Sequence, residues 1–154
     1  MMYRTTMVAL TVLAFTALAG PVRAQDADAL TALQSASAIR CIFQAGVLGE
    51  WRDGRVEREL TSDVGMAFQY HDINSRAGTA RMTGTQGEGA VSATLTPSGL
   101  TLTRTTPSGN HSFTTVFPRY QADTSSFLAV HSRHVLLSPD PLPAQYYGVC
   151  KKAD

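Results

Sequence analysis

Two cysteines, Cys41 and Cys150, bracket nearly everything in this 154-residue chain that alternates like a β-strand. A bridge between them would close a loop of about 110 residues. In the chain-entropy picture that removes unfolded-state freedom worth about 4–5 kcal/mol. It would also tie the first strand to the last, which suits a sheet that closes on itself. Two buried free thiols or a reactive pair are the competing readings. A redox pair wants a close spacing such as Cys-x-x-Cys, which is absent. The expectation is a structural disulfide with no chemistry of its own.

That expectation needs an oxidising compartment, and the N-terminus supplies one. Arg4 gives a positive start, residues 7–18 form an apolar run, and Pro21, Val22 and Ala24 follow as a breaker and two small residues. This three-part pattern is that of a secretory signal, expected to span residues 1–24 and to be cleaved before Gln25. The run is too short for a membrane span, which takes about 20 apolar residues. No Cys follows the cleavage point to carry a lipid. The mature chain is therefore expected to be periplasmic or secreted, with no membrane span. Dropping Arg4 and Arg23 turns 13 basic side chains into 11 against 12 acidic ones, a net charge of about −1. With only 16% charged residues, no basic patch remains to recruit nucleic acid.

Residues 25–38 read as a short helix or linker, with Asp26 or Asp28 as the cap and Leu30, Leu33 and Ser37 at helical spacing. From Ile39 the period changes to two, and residues 39–154 read as one β domain. Cys41, Phe43, Ala45, Val47 and Trp51 are expected on one face, and Asp53-Gly54 is a two-residue hairpin turn. On the return strand, Val56 and Leu60 are expected to face in and Glu57 and Glu59 out. Further strands are expected at 64–73, 79–83, 90–95, 100–106, 111–117, 127–137 and 145–150. A loop at 118–125 and a Pro-punctuated segment at 138–143 separate the last three. Short strands joined by tight turns predict an all-β fold, an antiparallel up-and-down β-barrel of about 8–9 strands with a short N-terminal helix. The competing sandwich needs long crossings that this spacing does not provide.

Gly49-Glu50-Trp51 on the first strand, after a short helix, resembles the Gly-x-Trp signature of lipocalins. That resemblance implies an eight-stranded barrel holding an apolar ligand, closed at its narrow end by the Trp, with an arginine stacked on it. Arg133 is the candidate for that arginine. The match departs from the pattern in that Trp51 sits near the end of its strand. A second resemblance, to small uncharacterised exported bacterial proteins, runs through residues 113–117, 129–134 and 142–150. It implies an exported setting and no activity.

Four histidines, His71, His111, His131 and His134, invite a metal or catalytic reading. In His131-Ser-Arg-His134 the odd spacing puts the two histidines on opposite faces of a strand, while His131 and Arg133 share one. His71 and Asp72, being adjacent, should likewise point apart. No set of ligands reaches tetrahedral spacing and no Gly-x-Ser-x-Gly elbow is present, so neither metal, cofactor nor catalytic residue is expected. The adjacent Tyr146 and Tyr147 should point one in and one out. The function expected is a non-enzymatic module for a small apolar or amphipathic ligand, with Phe43, Trp51, Met66, Phe68, Phe113, Phe127 and Arg133 as interior candidates. The alternative is an envelope protein that binds another protein, such as a small inhibitor or assembly accessory.

Overall fold

A computed structural model of the protein describes residues 24–85, 87–122, 124–137 and 140–153. The expected export signal lies almost wholly outside them. Helix α1 (Ala24–Gln34) precedes eight strands: β1 (Ile39–Arg52), β2 (Arg55–Asn74), β3 (Thr79–Gly84), β4 (Gly89–Thr96), β5 (Gly99–Thr105), β6 (His111–Tyr120), β7 (Phe127–Leu137) and β8 (Asp140–Lys152). Each strand pairs antiparallel with the next, and β8 returns to pair with β1. The strands therefore form one closed ring in chain order.

Closure is fixed by chemistry at the β1–β8 seam. Cys41 stands directly opposite Cys150 in the register and is bonded to it. Two rungs along, Gly148 faces Phe43, and any Cβ there would strike the carbonyl oxygen of Ile42 and the Phe43 backbone. Only glycine lets β1 approach this closely. Inside the ring, side chains stack in rows set by the register. Leu100, Val116 and Ala129 form one row, and Leu102, Thr114, His131 and Tyr146 form the next, all buried. Phe43, Met66, Phe68, Tyr70, Met82 and Phe127 fill the remaining interior.

One end of the ring is covered. Ala29, Leu33 and Ala36 bury themselves there, and α1 packs on β6 and β5. The Ile73 and Ala153 amides donate to the carbonyls of Ser37 and Ala38, and Lys152 Nζ donates to Ser35 Oγ. Asp26 lies in the first turn of α1, where a carboxylate favours the positive end of the helix dipole. The other end is open among the described residues and is bounded by the β5–β6 connection, the end of β7, the start of β8 and the long β1–β2 hairpin.

Local irregularities redirect several faces. The expected turn forms at Asp53 and Gly54, both with positive φ, as a right-twisted two-residue hairpin requires. Upstream, however, Phe43 pairs with Gly148 while Ala45 pairs with Tyr147, so Gln44 is an extra residue in β1. A bulge of this kind reverses the alternation. Cys41 and Phe43 point in, whereas Ala45, Val47 and Trp51 point out, so the five do not share a face. On β2, residues 63–65 lie opposite Gln44, with Asp63 and Gly65 at positive φ. Val56 and Leu60 consequently lie on the outer side, 60% and 79% exposed, and do not face in.

The strand boundaries also shift. Residues 55–60 and 64–73 form a single bent strand, β2, which brings the count to eight. Residues 118–120 continue β6 past Pro118, and 140–143 belong to β8. Pro141 and Pro143 are tolerated because the β1 ladder along β8 ends at Leu48–Ala144, leaving that edge without ladder bonds to lose.

Replacing both Cys41 and Cys150 by serine is expected to cost about 2–5 kcal/mol. The measurement is urea unfolding, with wild type in dithiothreitol expected to match the variant. A midpoint unmoved by reduction would remove the bridge from any account of stability.

Candidate functional site

Three polar side chains meet inside the ring. Tyr70 Oη lies 2.6 Å from Thr114 Oγ1, which lies 2.7 Å from His131 Nδ1. All three are buried. One proton arrangement satisfies both hydroxyls: Tyr70 donates to Thr114, and Thr114 donates to Nδ1. His131 then carries its hydrogen on Nε2, a buried nitrogen without a hydrogen-bond partner among the described residues. The imidazole is held among the rings of Phe68, Phe43 and Tyr146, at centroid distances of 4.8, 5.5 and 6.1 Å.

Burial, aided by the charge of Arg133, pushes the His131 pKa down to about 4. Burial likewise pushes Tyr70 up to about 12, against the opposing effects of the Thr114 hydrogen bond and Arg104. Both groups are neutral near pH 7, with no carboxylate among these hydrogen-bonded partners to relay a proton. The layer gives the interior a fixed shape and closes it beneath the open end.

Above this layer, towards the open end, the next row across the sheet is Arg104, Ser112 and Arg133. Arg104 is paired with Ser112 and Ser112 with Arg133. The Arg104 Nη2 donates to the Glu88 carbonyl at 3.1 Å. Together with Thr106, Asn110 and Val135 these residues line a depression of about 220 Å³.

A larger groove, about 470 Å³, adjoins it at the same end. Trp51, His134, Leu136, Pro141 and Pro143 line it, and its walls are mostly apolar. The Asn110 side chain braces one wall by accepting from the Leu136 amide at 3.2 Å. Trp51 and Leu136 are 43% and 66% exposed. His111 and His134 sit directly opposite each other on this outer side. His111 Nδ1 lies 3.0 Å from Thr105 Oγ1, and the His134 ring meets Phe113 edge-on at 5.7 Å.

The residues singled out by sequence divide into three places. Phe43, Met66, Phe68 and Phe127 are packed core. Phe113 alternates with buried Thr114 and so faces outward, not into the interior. Arg133 lies on the inner face at the mouth while Trp51 lies outside, so the arginine stack implied by the lipocalin resemblance does not form. His131 and His134 take opposite faces, as their spacing requires, and Tyr146 is buried with Tyr147 exposed. His71 and Asp72 do not point apart: Nδ1 and Oδ2 are 3.1 Å from each other, because Asp72 at φ 54° breaks the alternation. Tyr70, Thr114 and Leu136 were not singled out. The alternation of β6 through Thr114 and Val116 is the signal that points to Thr114.

Among the described residues no group of three or more His, Cys, Asp or Glu is placed to hold a metal ion, and no helix is long and apolar enough to cross a membrane. No protein family, curated protein or solved structure gives a match to the chain.

The His131 pKa near 4 lies below the unfolded value of about 6.5. The unfolded chain therefore takes up the proton first as pH falls. Stability is expected to drop between about pH 6.5 and 4 by up to roughly 3 kcal/mol, then level off in this contribution. Urea midpoints from pH 7.5 to 4 test it: His131→Gln should flatten the slope in that window. An equally steep variant would clear His131 of the effect.

Proposed function

We propose that this protein is an exported, non-enzymatic, lipocalin-like binding module for a small apolar or amphipathic molecule, and that the ligand lies in the Trp51 groove. The observation that carries the reading is the groove itself: a concave, mostly apolar surface of about 470 Å³ beside an exposed tryptophan and leucine. Exposed apolar surface gathered in a concavity is a common mark of a ligand site. The packed interior supports a position at the mouth instead of along the ring axis, since Phe43, Phe68, Tyr70, His131 and Tyr146 already occupy that space. The Cys41–Cys150 bridge supports an oxidising, extracytoplasmic setting.

Trp51 is the one tryptophan of the chain, so its fluorescence reports directly on the groove. An apolar naphthylamine probe is expected to quench or shift that emission. Leu136→Asn should weaken the probe by about tenfold, in line with the burial of one leucine side chain. Emission that ignores every apolar probe would refute the reading.

A second reading, protein binding in the cell envelope, has its own observation. Residues 55–65 of β2 lie against β1 on one side, while among the described residues pairing on the other side begins only with Ala67 and Phe68. This leaves a strand edge able to accept an extended segment of another chain. The exposed Tyr147 offers no such edge, because from Ala144 onward β8 is paired on both sides. Recovery of a stoichiometric partner, lost when Leu60→Pro removes an edge amide, would favour this reading over the ligand.

A further inference from the structure

We propose that Arg104, Ser112 and Arg133 form an anion subsite at the mouth of the ring, and that it takes the carboxylate head of an amphipathic ligand whose apolar part lies in the Trp51 groove. This rests on the reading of that groove as the ligand site.

The register places the three side chains on one face in one row. Adjacent strands lie about 4.8 Å apart, so the two arginines start about 10 Å apart with a hydroxyl between them. All three side chains line the same depression of about 220 Å³, whose span an oxyanion and its hydration can fill. The row below, Leu102, Thr114 and His131, is buried and neutral near pH 7, so the subsite has a closed floor with no counter-charge in it. Charge–charge attraction is stronger at such a boundary than in open water.

Glu50 and Glu57 pair with Arg52 at 2.7 and 3.5 Å on the projecting hairpin. Among the described residues no ion pair involves Arg133. Arg104 is steered by the Glu88 carbonyl, which orients its planar fork. A planar fork matches a carboxylate through two parallel hydrogen bonds, which an ammonium cannot do.

The position of the subsite gives the ligand its class. The depression holding the arginines and the apolar groove share Asn110, His111 and Val135 as common wall. A single molecule can therefore place an anionic head on one side of that wall and an alkyl or aromatic body on the other. A neutral apolar ligand uses only the groove.

Decanoate and decanol separate the two contributions, with binding to the oxidised protein read by calorimetry and by Trp51 emission. Wild type is expected to bind decanoate about tenfold more tightly than decanol at low ionic strength, with the gap narrowing as salt is added. Arg133→Gln and Arg104→Gln should each bring decanoate down to the decanol level while decanol is unaffected. Arg133→Lys should restore part of the gap. Equal wild-type affinities for the two probes would overturn the subsite and leave the groove reading standing. Binding of neither probe would overturn both. Loss of decanol together with decanoate in the arginine variants would also overturn the subsite, because it would make the arginines structural.

Discussion

The contact on which the rest of the molecule depends is the β1–β8 seam. Without it the eight strands would be an open antiparallel sheet with two exposed edges and one face of large apolar side chains in water. Two features hold it. Cys41 and Cys150 meet in register, and Gly148 lets the β1 backbone lie against β8 more closely than any side chain would allow. Once the seam is made, the rows from β5, β6, β7 and β8 face one another across the ring, and α1 has an end to cover. The same seam sets the inside and outside of β1, and so decides what Trp51 and its neighbours can touch.

How far the sequence foretold this varies by element. The cysteine pair, the Asp53-Gly54 turn and the alternation of β4, β5 and β7 were readable because each follows from a local rule: redox pairing, positive φ, or a period of two. The opposite faces of His131 and His134 came from the same arithmetic. Trp51, Val56 and Leu60 were misplaced because Gln44 has no compositional mark of a bulge, yet one extra residue there inverts every face that follows. Asp72 deceived in the same way, turning towards His71 through an unusual φ that its residue type permits and does not demand. Pro141 and Pro143 read as a break because proline leaves ladders. Their strand had already lost its neighbour on that side.

The candidate site follows from the same geometry. The Tyr70–Thr114–His131 layer divides the ring into a filled part beneath and a shallow mouth above. Polar groups that would be costly to bury unpaired satisfy one another there, and Nε2 of His131 is the exception. This layer fills the interior. At the rim above it, the inner face presents two guanidinium groups and the outer face presents Trp51, Leu136 and two prolines. The bulge at Gln44 is responsible for the second half of that arrangement, because it carries Trp51 from the inside of β1 to the outside.

The seam has a further consequence in time. Pairing between successive strands is local, and each hairpin can form as soon as its turn exists. The β1–β8 pairing is the opposite: Cys41 and Cys150 are 109 residues apart, and the ring stays incomplete until its last strand is present. A chain emerging from its N-terminus therefore holds its first strand half-paired throughout, with Ile39, Cys41 and Phe43 lacking their final partner. Completion is an all-or-none event reserved for the full-length chain, and a truncation within β8 leaves a ring that cannot shut.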